Sequence, residues 1–390
     1  MAIEGRSEKA SGRIRLGMVG GGQGAFIGAV HRLAARMDDH YEFVAGALSA
    51  DAGKALQSGK ELGLAPDRIY ADFRQMAKVE ARRRDGIEAV SIVTPNHLHA
   101  PVAQAFIEAG IHVICDKPLA YNLKEAKALE KLLARMKQVI FALTHNYSGY
   151  PMVRQAKAMV AAGELGDIRL VQGEYPQDWL TTPLEKTGQK QAAWRTDPKR
   201  SGAGGCIGDI GTHAYQLMCD ISGLAACELA ADLTTFVKGR LLDDNAHVML
   251  RFNGVAKGML WASQVAPGNE NGLKVRVYGT KGGLEWSQAD PNYLWHTPLG
   301  KPKRLITRGG AGSTAPAGRV TRVPPGHPEG YLEGFANIYG EVAQAIKAAR
   351  AGKKHDREVS FPGIADGVAG MAFIEACVRS SAKNGKWTKF

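Results

Sequence analysis

The sequence of 390 residues contains no apolar run approaching the roughly 20 residues that a membrane-spanning helix needs. Its first residues, MAIEGRSEKASGR, are charged where a secretory signal would be apolar. We therefore expect a cytoplasmic protein with no membrane partner. Residues 3–6 also spell Ile-Glu-Gly-Arg, a common protease-cleavage tag, so the folded chain is predicted to begin at residue 13.

Cysteine is scarce, and its positions show no pattern. The five cysteines include no CxxC pair and no spacing typical of metal ligands. This disfavours both a disulfide framework and a zinc site, and we expect reduced thiols and no bound metal. The five are Cys115, Cys206, Cys219, Cys227 and Cys377.

Basic residues exceed acidic ones: 50 lysines and arginines against 38 aspartates and glutamates give a formal net charge of +12. Such a balance suits nucleic acid, an anionic cofactor, an acidic substrate or simply a solvated basic surface. The basic residues are scattered apart from Arg82, Arg83 and Arg84, and that run is not interleaved with aromatic residues. A nucleic-acid partner is therefore not expected.

The length exceeds the usual range of about 100 to 200 residues for one domain, so two domains are expected. In residues 13–145, short apolar runs alternate with helical stretches, which is the βαβ rhythm of a parallel, doubly wound sheet. The runs are continuously apolar, as in strands covered by helices on both faces. They read IRLGMVG, YEFVAGALS, AVSIVTP, HVICDKP and VIFALTH. Residues 13–145 are therefore predicted to form a Rossmann domain within an α/β fold.

The pattern changes after residue 145. Long strand-like stretches joined by turn signals such as Asn253-Gly254 predict a C-terminal α+β domain, residues 146–390, with a large, mainly antiparallel open sheet. The stretches read LAADLTTFVKG, NAHVMLRF, AKGMLWASQVA, LKVRVYGT and GGLEWSQ. Residues 297–329 are rich in proline, glycine and basic residues, and we expect a long surface excursion there because they cannot bury much apolar area.

A glycine-rich turn follows the first strand directly and precedes helical spacing. Small residues there let backbone amides at a helix N-terminus approach a pyrophosphate, where the helix dipole favours negative charge. The match to GxGxxG is incomplete, because alanine stands in the third position. We predict dinucleotide binding, and the alternative is a plain tight turn. The residues expected to contact the cofactor are Gly20, Gly22, Gly24, Ala25 and Phe26.

The second strand ends at Leu48 and Ser49, where an NAD-specific enzyme often has an acid for the ribose hydroxyls. That acid is missing here. Asp51 lies two residues further on and is in reach of the ribose, but it equally suits the N-cap of the next helix. Ser49 and Lys54 suit the additional phosphate of NADP. The prediction is NAD, with NADP left open.

Polar motifs end two further strands, and ligands of open α/β sheets bind beyond the carboxyl ends of the strands. Lys117 lies between an apolar strand and a proline, where a lysine has little reason to be solvated, and this favours a functional role. The alternative is that Lys117 is an ordinary surface lysine. For His99 the alternative to cofactor contact is capping or packing in the following helix. The candidates at these strand ends are Thr94, Pro95, Asn96, His99, Asp116 and Lys117.

A third motif opens a predicted helix after Gly204 and Gly205. Asp209 and His213 lie four residues apart, so on an α-helix they share one face. A carboxylate beside an imidazole is a working general base. The alternatives are a structural pair or two ligands of a metal site, although no third ligand stands at a suggestive position.

The motifs occur in an order that resembles the glucose–fructose oxidoreductase, inositol dehydrogenase and rhizopine-catabolism (GFO/IDH/MocA) superfamily. The resemblance runs from about Ile14 to the C-terminus, and its most specific parts are Asp116-Lys117-Pro118 and the DxxxH motif of Asp209 and His213. It implies a Rossmann domain carrying NAD(P) and a second domain whose open sheet lies beside the nicotinamide and often pairs subunits. We therefore expect a homodimer or homotetramer formed through that sheet.

The resemblance also implies roles for individual residues. Lys117 would touch the substrate hydroxyl and the cofactor, with His213 as acid or base and Asp209 as its substrate-binding partner. Trp194 would stack on cofactor or sugar, and the alternative is simple packing. The residues expected to bind substrate are Lys117, Tyr147, Tyr150, Trp194, Arg195, Asp209, His213 and His327.

Three functions fit these features. The first is an NAD(P)-dependent oxidoreductase that transfers hydride between a sugar or polyol carbinol and nicotinamide. The second is an NAD-dependent glycosidase that oxidises, eliminates and reduces again, with acidic or sulfonated glycosides conceivable because Lys199 and Arg200 lie near Arg195. The third is a non-catalytic dinucleotide-sensing regulator.

Overall fold

A parallel five-stranded sheet forms the N-terminal part of the computed structural model, which describes residues 12–390. The Ile-Glu-Gly-Arg motif at residues 3–6 lies outside the described residues. The strands are β1 (Ile14–Gly20), β2 (Tyr41–Ala47), β3 (Ala89–Val93), β4 (His112–Cys115) and β5 (Phe141–Leu143). They lie in the order β2-β1-β3-β4-β5, and every neighbouring pair is parallel, which confirms the predicted Rossmann-type sheet.

Five helices alternate with these strands and cover the sheet. They are α1 (Phe26–Met37), α2 (Ala52–Glu61), α3 (Phe73–Glu80), α4 (His99–Glu108) and α5 (Leu123–Arg135). Side-chain caps fix where several of them begin. Helix α5 begins after Asn122, whose side chain accepts a hydrogen bond from the Glu125 amide at 2.9 Å. The apolar strands are buried as a result, and β3 is buried at every position.

A second, nine-stranded sheet forms the C-terminal part. Its strands are β6 (Ile168–Pro176), β7 (Ala226–Thr234), β8 (Asn245–Phe252), β9 (Lys257–Ser263), β10 (Lys274–Gly279), β11 (Gly282–Ser287), β12 (Tyr293–Pro298), β13 (Arg304–Thr307) and β14 (Thr388–Lys389). Their order is β13-β12-β11-β10-β6-β9-β8-β7-β14, and only β6 and β9 pair in parallel among the described residues. The predicted large, mainly antiparallel sheet is confirmed.

Seven helices belong to the chain after residue 145. They are α6 (Pro151–Ala161), α7 (Lys190–Arg195), α8 (Pro198–Ser201), α9 (Thr212–Ser222), α10 (Ala315–Arg319), α11 (Tyr331–Arg350) and α12 (Ile364–Ser381). Helices α6, α9 and α12 pack on one face of the large sheet. Side chains alternate between that buried face and an exposed face, as in β8. No helix within residues 12–390 is long and apolar enough to cross a membrane.

Helix α11 packs on the first sheet, although the sequence places it in the C-terminal domain. Its Tyr339 hydroxyl lies 2.9 Å from Nδ1 of His31 in α1, and the hydroxyl of Tyr41 donates a hydrogen bond to the Tyr339 carbonyl at 2.9 Å. Phe335 and Ile338 join the same buried cluster as Ile14. The division at residue 145 therefore separates the two sheets, while α11 ties the end of the chain to the core of the first.

The expectation of a surface excursion for residues 297–329 is wrong in part. Strand β13 extends the large sheet, and α10 follows it. The buried guanidinium of Arg308 lies 2.9 Å from the Glu329 carboxylate and donates hydrogen bonds to Asn292 and to backbone carbonyls. A buried ion pair and hydrogen bonds hold this segment against the protein. The prediction failed because it considered only apolar burial.

Candidate functional site

The carboxyl ends of the first four strands open onto a cavity of about 1080 Å³. This is the edge at which doubly wound sheets bind ligands. The second domain contributes to its wall through the segment that carries α7 and through the residues before α9. The predicted residues that line it are Gly20, Gly22, Gly24, Ala25, Ser49, Lys54, Thr94, Pro95, Asn96, Asp116, Lys117, Trp194, Arg195 and Asp209.

The glycine-rich turn is shaped for close approach. A β-carbon on Gly22 would lie 2.7 Å from the Leu48 carbonyl oxygen, and Gly24 has a φ of +70°. Helix α1 begins after Ala25, whose side chain provides no cap, and its first turn holds no acidic residue. The amides of this turn therefore present unneutralised partial positive charge to the cavity, which fits a pyrophosphate. Phe26 is 65% exposed and does not line this cavity, so its contact with the cofactor stays a prediction.

The far end of the cavity is bounded by the turn after β2. Asp51 caps α2, since its carboxylate accepts a hydrogen bond from the Lys54 amide at 2.8 Å. The hydroxyl of Ser49 accepts one from the Asp51 amide at 3.1 Å. The Lys54 ammonium has no carboxylate oxygen within 4.0 Å among residues 12–390. Lys54 therefore stands at this end without an ion-pair partner, on a wall that also carries Asp51 and Asp72.

His99 does not reach the cavity. It is buried, with Nδ1 at 2.6 Å from the Pro118 carbonyl and Nε2 at 2.8 Å from the Thr94 carbonyl. The side chain thus joins the two strand-end motifs to each other. The structure favours the packing role for His99 over the predicted cofactor contact.

Lys117 and Asp209 come from different domains and meet on the cavity wall. The Lys117 ammonium lies 2.8 Å from Oδ1 of Asp209, while Oδ2 accepts hydrogen bonds from Arg195 at 3.2 Å and Gln264 at 2.9 Å. Burial alone would raise the pKa of the Asp209 carboxyl, but the charges of Lys117 and Arg195 outweigh it and hold this pKa below its ordinary value. The carboxylate is therefore ionised, and three side-chain donors contact its two oxygens.

The predicted pairing of Asp209 with His213 does not form. Asp209 lies in a π-helical turn (Ile207–Gly211), and His213 follows in α9. The wider turn changes the rotation per residue, so side chains four apart no longer stack as they would on an α-helix. The two cations on Asp209 also compete for its oxygens. The prediction that Asp209 and His213 form a carboxylate–imidazole base is therefore wrong, because the two side chains do not lie together.

His213 instead faces aromatic and imidazole neighbours. Its Nδ1 lies 3.4 Å from Nδ1 of His145, and its ring centroid lies 5.0 Å from that of Tyr147. Burial first, and then the charge of Lys117, lower the pKa of His213 well below its ordinary value. The same causes lower the pKa of His145 to about 3. Both imidazoles are therefore neutral at neutral pH, and when the Nδ1–H of His213 donates to His145, Nε2 of His213 has a free lone pair to accept a proton.

A network of hydroxyl and amide groups lies behind His213. The hydroxyls of Tyr147 and Tyr175 are 2.5 Å apart, and Tyr175 donates to Asn271 at 2.7 Å. Tyr147 and Tyr150 are buried and do not line the cavity. Sequence reasoning missed Tyr175, Asn271 and Gln264. For Gln264 a signal existed, because it directly follows strand β9 on the side of the site.

Of the remaining residues predicted to bind substrate, Trp194 and Arg195 line the cavity and His327 does not. The Arg195 guanidinium lies 4.3 Å from the centre of the Trp194 ring, and both residues line the cavity. His327 lines a separate cavity of about 590 Å³ together with Tyr293 and Glu329, so the structure does not bring it to Lys117. Within residues 12–390, no three histidine, cysteine or acidic side chains are grouped to hold a metal ion.

Two family models match the chain. Residues 14–145 match the oxidoreductase family with an NAD-binding Rossmann fold, and residues 153–285 match the GFO/IDH/MocA C-terminal domain. An oxidoreductase from Sinorhizobium meliloti is 60% identical, with a TM-score of 0.88 over 97% of this chain and 99% of that one.

Relatives with more specific descriptions are also similar over much of their length. An inositol dehydrogenase homolog from Azotobacter vinelandii, solved with NAD+, is 36% identical, with a TM-score of 0.93 over 98% of this chain and 99% of that one. A levoglucosan dehydrogenase from Pseudarthrobacter phenanthrenivorans is 29% identical over 70% of this chain and 73% of its own length.

Proposed function

The chain belongs to the GFO/IDH/MocA family of oxidoreductases and carries its NAD-binding Rossmann domain, and on this basis we propose that it is a sugar or polyol dehydrogenase with Lys117, Asp209 and His213 at its reaction centre. One observation supports this assignment above the others. Lys117 of the first domain and Asp209 of the second meet at 2.8 Å on the wall of the cavity that begins at the glycine-rich turn.

The chemistry around that pair suits a polyhydroxylated substrate. Asp209 and Arg195 supply a carboxylate and a guanidinium on the cavity wall, Gln264 adds an amide that donates to Asp209, and Tyr175 and Asn271 form a second hydrogen-bonded group. Several convergent donors and acceptors of this kind fix the orientation of a ligand with several hydroxyls. The relatives named for inositol and levoglucosan are in keeping with this substrate class.

Each residue has a distinct task in the proposed reaction. When bound, the nicotinamide accepts a hydride from the carbinol carbon or returns it. The neutral imidazole of His213 takes the hydroxyl proton, and the Lys117 ammonium stabilises the negative charge that develops on the same oxygen. Asp209 holds the Lys117 ammonium in place. In the reverse direction the same groups reduce a ketone.

We propose NAD as the cofactor, with NADP as the second candidate. No acid side chain follows β2 directly, and the carboxylate of Asp51 is engaged in capping α2. The unpaired Lys54 on the same wall is the group suited to a 2′-phosphate. Parallel titrations with both cofactors decide between them.

The proposal predicts net cofactor reduction when the purified protein is incubated with NAD or NADP and a panel of neutral and acidic sugars and polyols. Nicotinamide absorbance reports the reduction, and chromatography identifies the ketone or lactone product. Glycoside cleavage without net reduction would instead establish the redox-assisted glycosidase. Dinucleotide binding without either reaction across the panel would leave the sensing regulator.

We also propose that the exposed face of the large sheet pairs two copies of the chain. A contiguous exposed face with apolar residues and charges of both signs is unusual on a monomer, and in a two-fold pair the acidic groups of one copy would meet the basic groups of the other. The charged centre includes Glu174 and Arg276, whose side chains lie 3.2 Å apart. The exposed apolar residues on this face are Leu170, Met249, Met259, Tyr278, Trp295 and Leu305.

Replacing Met259 by lysine is expected to shift the protein from dimer or tetramer towards monomer, because it puts a charge beside the cross-strand neighbour Met249. Light scattering coupled to size exclusion measures the mass. The matched control is Val255→Lys, which adds the same charge at an exposed turn. A wild-type chain that is monomeric at working concentrations would contradict the pairing.

A further inference from the structure

Helix α7 of the second domain lines the dinucleotide cavity and places Lys190 beside the glycine-rich turn. The Nζ atom of Lys190 lies 3.9 Å from the position that a β-carbon on Gly24 would occupy. Lys190 also lines the cavity, together with Gln191 and Trp194 of the same helix. No motif in the sequence pointed to this lysine.

The Lys190 ammonium and the glycine-rich turn carry charge of the same sign, which is unfavourable unless an anion lies between them. Helix α1 directs its partial positive charge into the same space, with no acidic residue in its first turn and no side-chain cap from Ala25. Lys190 itself forms no ion pair within residues 12–390. Two like charges without a counter-charge form a site that an anion would stabilise.

The other cations near the reaction centre are already engaged. Lys117 and Arg195 both contact the carboxylate of Asp209, at 2.8 Å and 3.2 Å. They therefore do not compete for an anion at the turn. Lys54 and Arg200 also line the cavity without an ion pair, but among the described residues it is the Lys190 ammonium that lies 3.9 Å from the β-carbon position of Gly24.

The segment around α7 is anchored on its C-terminal side. Arg195, at its C-terminal end, contacts Asp209 at the reaction centre, and Gln191 accepts a hydrogen bond from the Trp194 indole at 3.2 Å. In the following α8, the Ser201 carbonyl accepts a hydrogen bond from the Asn96 side chain at 2.9 Å, which ties the segment to the first domain. The side chain of Gln189 caps the start of α7 by accepting a hydrogen bond from the Ala192 amide, so Lys190 stands at the defined beginning of a short helix that is tied down at its other end.

We propose that Lys190 is a ligand of the cofactor's pyrophosphate, supplied across the cavity by the substrate-binding domain. This inference rests on the proposed dinucleotide-dependent function and adds a residue to it. The ammonium and the α1 amides then hold the same anion from opposite sides. Binding of the cofactor thereby also holds the helix that carries Arg195 against the reaction centre.

The test measures ligand affinity and does not depend on turnover. We expect Lys190→Gln to weaken binding of NADH and of ADP-ribose by about 5- to 20-fold, since a charge-assisted contact to phosphate is lost at a partly exposed site. Adenosine, which lacks the pyrophosphate, should bind both proteins equally. Lys190→Arg should restore most of the affinity. Calorimetric titration provides the dissociation constants.

Lys199→Gln is the matched control, because Lys199 is an exposed lysine of the same segment that does not line the cavity. An equal loss of affinity in Lys190→Gln and Lys199→Gln would overturn the inference, since only the general field of the segment would then matter. Unchanged ADP-ribose affinity in Lys190→Gln would overturn it as well. If the wild-type chain bound neither NADH nor ADP-ribose, the proposed function itself would fail, which is a result distinct from the other two.

Discussion

Replacing Lys117 by alanine is expected to lower kcat/KM for the best sugar or polyol by about 10³-fold or more. The substitution removes the ammonium proposed to stabilise the developing alkoxide, and it leaves the Asp209 carboxylate without the cation that lies 2.8 Å from it. A loss of this size corresponds to about 4 kcal/mol of transition-state stabilisation. Steady-state rates of cofactor reduction measure it.

Binding measurements separate this chemical effect from a structural one. Asp209 keeps Arg195 and Gln264 as donors in the variant, so the fold should change little, and NADH affinity should fall far less than kcat/KM. The matched control is Lys157→Ala, which also removes a lysine from an aspartate, Asp220 at 2.6 Å, but away from the cavity. A Lys117→Ala protein that retained more than a tenth of the wild-type kcat/KM would remove this lysine from the reaction centre.

The first sheet could be predicted because its strands are continuous apolar runs whose order along the chain leaves few topologies. The run at residues 14–20 became β1 without adjustment, and Asn245–Phe252 became β8 because its alternation matches a half-buried strand. The packing of α11 on the first sheet could not be predicted. Its apolar residues indicate that it is buried, but no local pattern says against which sheet.

The candidate site, like the fold, could be predicted only in part. The rule that ligands bind beyond the carboxyl ends of strands was enough to place Lys117 and Thr94 on the cavity wall. The spacing of Asp209 and His213 predicted a shared face, and the π-helical turn altered it. Lys190 came from a segment that crosses between domains, and such a crossing depends on tertiary packing that one sequence does not show.

His213→Gln is expected to lower kcat by about 10²- to 10⁴-fold, the usual contribution of a general base. Glutamine keeps a polar side chain of similar length but cannot accept the hydroxyl proton. His213 does not line the dinucleotide cavity, so NADH affinity should stay close to that of the wild type. His355→Gln is the control, since His355 is an exposed histidine outside the cavity.

The pH dependence distinguishes a base from a packing residue. Because burial lowers the pKa of His213, the neutral form that accepts a proton persists as the pH falls through 6.5, the ordinary value for histidine. The acid limb of kcat/KM for carbinol oxidation should therefore lie below pH 6.5 and disappear in His213→Gln. A variant that lost activity equally at every pH, with lowered NADH affinity and thermal stability, would show that His213 only supports Tyr147 and His145. The proton would then have to leave through another group at the site.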